Sequence, residues 1–171
     1  LGGTVNLKWC SSIFNGDDAF DVAMGYRGNM QFIFALVDKD GDHAAEMESM
    51  PDLQPSYPQV YGATFVKSQT SSASETAVVK IRGGIGGRIA NTILLGYGRA
   101  AVSNSNCGSG NPSISTTSFG TFNDSLFAFQ NNIFHVRNRS GYLNLFDNAC
   151  PGISWGDPLT STADPALQLF P

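Results

Sequence analysis

The chain has 171 residues, of which 42% are hydrophobic and only 14% are charged, and its formal net charge is −4. This length fits one domain with a substantial core, and the hydrophobic fraction is too high for an intrinsically disordered protein. The low charge excludes a long exposed helix or coiled coil. The absence of a basic cluster excludes a nucleic-acid-binding protein, which needs several neighbouring cations.

Short segments with β-strand character follow one another along the chain. Residues 4–9 alternate polar and apolar side chains, which is typical of a half-buried strand, so residues 1–9 are predicted to form an edge or exchangeable strand. Residues 29–37 predict a buried central strand because they end in a continuous apolar run. Further strands are predicted at residues 60–66, 76–82, 125–130, 133–137 and 142–146.

Other segments interrupt this pattern. Residues 42–50 predict the single short helix, with Asp42 as its N-cap and Pro51 ending it. Residues 83–87 are glycine-rich, but their spacing differs from that of a nucleotide-binding loop, so they predict a turn between two β segments. Residues 88–95 fit either a helix or a strand, and residues 102–121 predict a long loop.

A candidate ligand-binding face arises near the C-terminal end. Residues 133–137 and 142–146 flank a four-residue turn and predict a β-hairpin. In that pairing, one face carries four side chains that together suit a sugar or a protein partner: His135, Arg137, Tyr142 and Asn144. The alternative is an ordinary exposed sheet face.

Three acidic residues suggest a candidate calcium site. Asp38, Asp40 and Asp42 alternate along a turn that contains Gly41, and Ca²⁺ prefers oxygen ligands from such turns. The sequence does not match the EF-hand pattern, and the alternative is a polar turn before a helix. No other cofactor is predicted, and no apolar run reaches the ~20 residues of a membrane-spanning helix.

The cysteines and two asparagines point to an extracellular protein. A disulfide between Cys107 and Cys150 is predicted, which leaves Cys10 unpaired, and three reduced buried cysteines are the alternative. Asn123 and Asn138 lie in Asn-x-Ser sequons and are candidate glycosylation sites. Because the chain begins without Met, we expect a leader or propeptide to have been removed.

Taken together, these features predict a single β-rich domain over residues 1–171, with an apolar tail at 158–171. The predicted architecture is an antiparallel sandwich or rolled sheet with one short helix and long Gly/Ser/Asn-rich loops. The predicted core comprises Phe32, Phe34, Leu36, Phe65, Val78, Phe127, Phe129, Phe134, Val136, Leu143 and Leu145.

The first functional hypothesis is a non-enzymatic extracellular structural or adhesive subunit. It would self-assemble through strand edges or chain ends into a filament, pilus or shell. The first alternative is a small carbohydrate- or ligand-binding module with a surface glycan as partner. The second alternative is a carboxylate-based hydrolase, because only His43 and His135 could serve a serine or cysteine nucleophile and no Gly-x-Ser-x-Gly motif is present.

Overall fold

The computed structural model describes residues 2–50, 53–68, 76–105, 114–115, 127–137 and 145–148. All regular elements in these ranges are β-strands. They are β1 (Leu7–Lys8), β2 (Ser11–Ile13), β3 (Asp21–Val22), β4 (Asn29–Gln31), β5 (Phe34–Val37), β6 (Ala45–Glu48), β7 (Gln59–Tyr61), β8 (Thr64–Lys67), β9 (Val79–Arg82), β10 (Gly87–Ala90), β11 (Ile93–Tyr97), β12 (Val102–Ser105), β13 (Ile114–Ser115), β14 (Phe127–Gln130), β15 (Ile133–Arg137) and β16 (Phe146–Asn148).

These strands form three parallel sheets. Sheet A has the order β1-β4-β7-β10-β14-β13, sheet B the order β15-β11-β8-β5-β2, and sheet C the order β16-β12-β9-β6-β3. From β1 to β12 and from β14 to β16, consecutive strands pass from sheet A to sheet B to sheet C, and each such passage is one coil; β13 is an additional strand at the end of sheet A. The first coil contains β1 to β3, and each later coil pairs with the one before it. The architecture is a parallel β-helix.

The predicted antiparallel sandwich is therefore wrong. Every strand pair within the described residues is parallel, including the pairs that β8 makes with β5 and β11. Alternation of polar and apolar residues shows only that one face of a strand is buried. The strands of a β-helix bury one face against a central core just as those of a sandwich do, so the alternation does not distinguish the two folds. The β-rich character itself is confirmed.

The predicted helix at residues 42–50 is also wrong, because this segment contains strand β6. Ala45 and Met47 belong to the core, whereas Glu46, which is also buried, and Glu48 lie on the outer face of sheet C. Strand β6 pairs in parallel with both β3 and β9. The period-2 alternation and these two pairings outweigh the capping signal of Asp42.

The described parts of the predicted C-terminal hairpin do not pair with each other. Strand β15 pairs with β11 in sheet B, and β16 pairs with β12 in sheet C. The two strands therefore lie in different sheets, and residues 138–144 between them lie outside the described part of the chain. The face that would combine His135 and Arg137 with residues 142 and 144 depended on that pairing.

The predicted single strand at residues 29–37 is divided between two sheets. Phe32 has a left-handed backbone conformation, with φ of 55°, and this bend separates β4 from β5. As a result Phe32 is 40% exposed rather than buried. Phe34 and Leu36 lie on the outer face of sheet B and are only partly buried, so these three core predictions are wrong.

The core lies inside the coils. Of the remaining core predictions, Phe65, Val78, Phe127, Phe129, Phe134 and Val136 are buried; Leu145 is partly buried against them, and Leu143 lies outside the described residues. In sheet A, aligned side chains form one column through successive coils: Leu7, Met30, Val60, Ile89 and Phe129. These positions are 23, 30, 29 and 40 residues apart, so no fixed repeat is visible in the sequence.

The structure also decides the conformation of the glycine-rich segment and of the segment that follows it. Residues 83–87 connect β9 to β10, with Gly83 and Gly84 at positive φ, so the glycine-rich turn between two β segments is confirmed. Residues 88–95 form strands, which decides between the two predicted conformations. Among the described residues, no helix has the length and apolar character required to cross a membrane.

Candidate functional site at the corner between sheets B and C

Charged and polar side chains collect at the corner where each coil passes from sheet B to sheet C. Asp18, Asp42 and Thr76 precede β3, β6 and β9, respectively, and Arg99 precedes β12. Backbone hydrogen bonds hold successive corners together: the Asp42 N–H donates to the Asp17 carbonyl at 3.2 Å, and the Arg99 N–H donates to the Thr76 carbonyl at 3.0 Å. The coil geometry thus aligns residues that are far apart in sequence.

His43 is buried beside two carboxylates. Both its backbone N–H and its ring Nδ1 lie 2.8 Å from Asp18 Oδ1. The same Nδ1 lies 3.4 Å from Asp42 Oδ2. The Asp18 side chain is almost fully buried, whereas that of Asp42 is partly exposed. His43 is therefore fixed in one orientation, with its ring nitrogen directed at the carboxylates.

Asp18 and Glu46 form a carboxyl pair whose pKa values are shifted in opposite directions. Burial opposes ionisation of Asp18, but its hydrogen bonds with His43 and Glu46 outweigh that effect and lower its pKa. Burial raises the pKa of Glu46, and the hydrogen bond to Asp18 raises it further, although Lys80 acts in the opposite direction. Asp18 is therefore the more acidic of the two carboxyl groups.

Two cations on the neighbouring strand approach the same pair. Lys80 Nζ lies 3.0 Å from Glu46 Oε1, and Arg82 Nε lies 2.9 Å from that atom and 2.6 Å from Glu48 Oε2. Strand register explains these contacts, because Glu46 is aligned with Lys80 and Glu48 with Arg82. Opposite charges directly across a strand pair stabilise its register. The outer face of sheet C is consequently charged, with acids and bases side by side.

A pocket of ≈ 170 Å³ opens beside this cluster. It is lined by Asp42, His43, Thr76, Ala77, Lys80, Arg99, Ser103, Asn104 and Ser105. Arg99 also forms an ion pair with Asp147, which lies further along the outer face of sheet C. Within the described residues, Asp42 Oδ1 is buried without a hydrogen-bond partner. The pocket thus combines hydroxyls, cations and an imidazole.

Lys67 lies beneath this pocket, inside the β-helix, and its side chain is 0% exposed. Its Nζ donates to the carbonyls of Asp42 at 2.7 Å and Thr76 at 3.3 Å, and it also contacts Thr76 Oγ1. Burial lowers the pKa of Lys67 to about 8, despite the opposing charges of Asp42 and Asp18. The ammonium thereby connects two consecutive corners of the pocket wall from inside.

The three acids of the candidate calcium site are placed differently from one another. Asp38 accepts a hydrogen bond of 2.5 Å from Ser68 Oγ, and Asp40 is exposed. In the described part of the chain, the group of three side chains close enough to share a cation consists of Asp18, Asp42 and His43. Their ligand atoms lie within 4.8 Å of one another. Only Asp42 belongs to both sets.

The other predicted site residues lie apart from this corner or outside the described residues. His135 and Arg137 lie on β15 in sheet B, with Arg137 Nε 3.4 Å from His135 Nε2. Cys10 has a free thiol at the corner between sheets A and B. The remaining predicted residues fall in segments that the structure does not describe: Cys107, Asn123, Asn138, Tyr142, Asn144, Cys150 and the tail at 158–171.

Sequence reasoning missed the carboxyl pair and its cations. A usable signal was present, because the pattern Glu46-x-Glu48 is complementary to Lys80-x-Arg82 and both lie on period-2 segments. Such complementarity across 34 residues indicates neighbouring strands with matching register. Lys67 carried no comparable signal, since a lysine at the end of a strand is usually exposed.

Comparison with known proteins agrees with the coil architecture. Residues 1–142 match the protein family described as pectate-lyase like beta helix domain. Comparisons with curated proteins and with solved structures found no match. The family match covers most of the chain and includes the corner with Asp18, His43, Glu46 and Lys80. The chain therefore belongs to the family of pectate-lyase-like β-helix domains.

Proposed function

We propose that this protein is an extracellular, non-enzymatic glycan-binding module, and that one sugar residue of a polysaccharide occupies the pocket at the corner between sheets B and C. The observation that carries this proposal is the pocket's polar lining, in which serine hydroxyls, two cations and an imidazole surround one cavity. The hydroxyls of a sugar would donate to and accept from these groups.

The chemistry of the lining supports a saccharide rather than an apolar ligand. Ser103 and Ser105 offer hydroxyls that both donate and accept, and Lys80 and Arg99 offer donors. A sugar ring needs both kinds of group around its rim. Family membership adds support, because the enzyme for which the family is named acts on pectate, a polysaccharide.

The carboxyl pair supports binding over hydrolysis. Glycoside hydrolysis needs two carboxyl groups about 5–9.5 Å apart, on either side of the bond that is cleaved. Asp18 Oδ1 instead contacts the backbone N–H and ring Nδ1 of His43 at 2.8 Å, and Glu46 Oε1 is ion-paired with Lys80 and Arg82. Both carboxyl groups are therefore occupied by contacts within the protein, which suits a rigid wall of a binding site.

Calorimetric titration with soluble oligosaccharides tests the proposal. A screen of glycans selects the ligand, and the titration is repeated with calcium and with a chelator, because Asp18, Asp42 and His43 could together hold a cation. Ser105→Tyr would fill the pocket, whereas Ser11→Tyr places the same side chain on exposed strand β2. We expect about tenfold weaker binding for Ser105→Tyr and unchanged binding for Ser11→Tyr. Equal affinity for both variants would contradict the proposal.

A second candidate function is self-assembly, and the first coil favours it. Five of its large apolar side chains are exposed: Val5, Trp9, Ile13, Phe14 and Met24. Strands β1, β2 and β3 are also the terminal strands of their sheets, and such edges can pair with another chain. Ile13→Lys should abolish a concentration-dependent mass increase in analytical ultracentrifugation. A wild-type chain that stays monomeric at high concentration would contradict this candidate.

A further inference from the structure

An aromatic stack lies on the outside of the corner between sheets A and B. The rings of Trp9 and Phe32 have centroids 4.4 Å apart and planes inclined by only 21°. The two residues occupy the same corner position in the first and second coils. Trp9 is 71% exposed and Phe32 is 40% exposed, so the stack presents a broad aromatic surface to solvent.

The backbone holds this stack in place. Trp9 and Phe32 have φ of 60° and 55°, a left-handed conformation that costs free energy for a residue other than glycine. The coil ladder fixes both residues, because the Trp9 N–H donates to Gln31 O at 3.2 Å and the Phe32 N–H donates to Tyr61 O at 3.0 Å. The surface is therefore formed before any ligand arrives, which lowers the entropic cost of binding.

A glycine at the equivalent corner of the third coil leaves space for the Phe32 ring. Gly62 occupies the equivalent position in the third coil, and a Cβ atom there would lie 2.9 Å from Phe32 Cδ1. Any larger residue would push the phenyl ring away from Trp9. The following coils carry Asn91 and Asn131 at this position, also with positive φ. Aromatic side chains thus occupy the corner only where they can stack on each other.

Polar groups suited to hydroxyls surround the stack. Lys8 Nζ lies 5.4 Å from the Trp9 ring centroid and 5.6 Å from that of Phe32. On the outer face of sheet A, Lys8 is aligned with Gln31, and Gln31 with Tyr61. Tyr61 in turn donates a hydrogen bond of 3.0 Å to Gln59 Oε1. An ammonium therefore lies near both rings, and two amides and a phenol lie on the adjacent strands of sheet A.

We propose that Trp9, Phe32 and Lys8 form a second saccharide-binding site, separate from the pocket between sheets B and C. A pyranose ring has an apolar C–H face, which packs on the electron-rich face of an aromatic ring, and a rim of hydroxyls that needs donors and acceptors. The Trp9–Phe32 stack supplies the aromatic face, and Lys8 and Gln31 supply the donors and acceptors. Successive coils lie about 4.8 Å apart, so a polysaccharide running along the helix would meet one coil after another.

Tryptophan fluorescence and calorimetry with two probes test this site. One probe is a neutral hexasaccharide of β-1,4-linked glucose, and the other is an acidic hexasaccharide of α-1,4-linked galacturonate. Trp9→Ala removes the platform, and Trp9→Tyr retains an aromatic face. Phe14→Ala is the matched control, because Phe14 is an exposed aromatic residue of the same coil with φ of 56°. Melting temperatures verify that each variant is folded.

We expect the wild-type fluorescence to change with at least one probe, and Trp9→Ala to bind that probe about tenfold more weakly. Trp9→Tyr and Phe14→Ala should bind within about twofold of wild type. Ser105→Tyr should retain the fluorescence change, which separates this site from the pocket. The proposal is overturned if neither probe changes the fluorescence, if Phe14→Ala loses as much affinity as Trp9→Ala, or if Trp9→Ala only abolishes self-association.

Discussion

Lys67 Nζ lies 2.7 Å from the carbonyl oxygen of Asp42, inside the β-helix. The aligned positions in neighbouring coils are occupied by Val37, Gly96 and Val136, which carry no charge. A buried ammonium is costly unless its donors are satisfied. Here the Lys67 ammonium donates to the carbonyls of Asp42 and Thr76 and to the Thr76 hydroxyl. Lys67 therefore holds two residues of the pocket wall from inside the β-helix.

The first prediction concerns the pH dependence of stability that Lys67 causes. Its pKa is about 8 in the folded protein, against 10.5 in the unfolded chain. Between these values unfolding takes up a proton, so raising the pH stabilises the folded state. The free energy of unfolding should therefore rise from pH 8 to pH 10.5, by up to about 3 kcal/mol from this group.

Lys67→Met provides the comparison, because other groups that titrate in this range contribute equally to both proteins. Urea unfolding at several pH values should show the stability of wild type rising relative to Lys67→Met between pH 8 and 10.5. Below pH 8 the difference should be constant, since Lys67 is then protonated in both states. A difference that is flat or falls over the whole range would contradict the assignment.

The second prediction concerns Asp18. Asp18 Oδ1 lies 2.8 Å from both the backbone nitrogen and the ring Nδ1 of His43, and its pKa lies below the ordinary value of 3.8. The stabilisation that ionised Asp18 gives the folded protein is therefore complete above pH 3.8, and it is lost as the pH falls through the lower pKa of the folded state. Asp18→Asn should destabilise the protein by roughly 2 kcal/mol at pH 7, with the difference shrinking in acid.

Asp17→Asn is the control for this measurement, because the neighbouring Asp17 is exposed. We expect chemical denaturation to show almost no change for Asp17→Asn at any pH. Equal effects of the two substitutions would mean that the His43 contacts do not stabilise the corner.

The third prediction concerns close packing between coils. Gly96 has φ of +110°, and a Cβ atom there would overlap the carbonyl oxygen of Lys67. Gly96→Ala should cost more than about 3 kcal/mol, because both the conformation and the contact are unfavourable. Gly16 has open space around its Cβ position and no positive φ, so Gly16→Ala should change the melting temperature little. A tolerated Gly96→Ala would show that β8 and β11 are not paired as described.

The fourth prediction concerns the inner side of the corner between sheets A and B. Asn132 is buried; its Oδ1 accepts from the Thr92 N–H at 2.9 Å, and its Nδ2 donates to Ile89 O at 3.0 Å. Asn132→Ala leaves both backbone groups without partners and should cost roughly 2–4 kcal/mol in thermal unfolding. The exposed Asn29, bonded to Asn6, should tolerate Ala at a cost below about 1 kcal/mol. Similar losses at both positions would argue against the buried network.

The sequence predicted strands well and their arrangement badly, and the corner between sheets A and B shows why. Asn91, Asn131 and Gly62 have the left-handed conformation that these residue types favour. Trp9 and Phe32 adopt the same conformation without any such preference, so the bend at Phe32 was not recognisable. Coil lengths that vary between 23 and 40 residues hid the repeat as well.

The candidate site was predictable only in part. Asp42 was recognised as a ligand-bearing residue, because acids on a turn are visible in one segment. Asp18, Glu46 and Lys80 come together only through the register of three different coils, and no single segment contains that information. The buried position of Lys67 follows from the inward direction of its side chain at the end of β8, which only the coil geometry determines.

The most direct measurement is chemical-shift mapping of the isotopically labelled protein during titration with the oligosaccharide that binds best. The pocket proposal predicts that the backbone amides of Thr76, Lys80, Ser103 and Ser105 shift in wild type and do not shift in Ser105→Tyr. Shifts confined to other surfaces, or shifts at these residues that persist in Ser105→Tyr, would contradict the proposal that a sugar occupies the corner between sheets B and C.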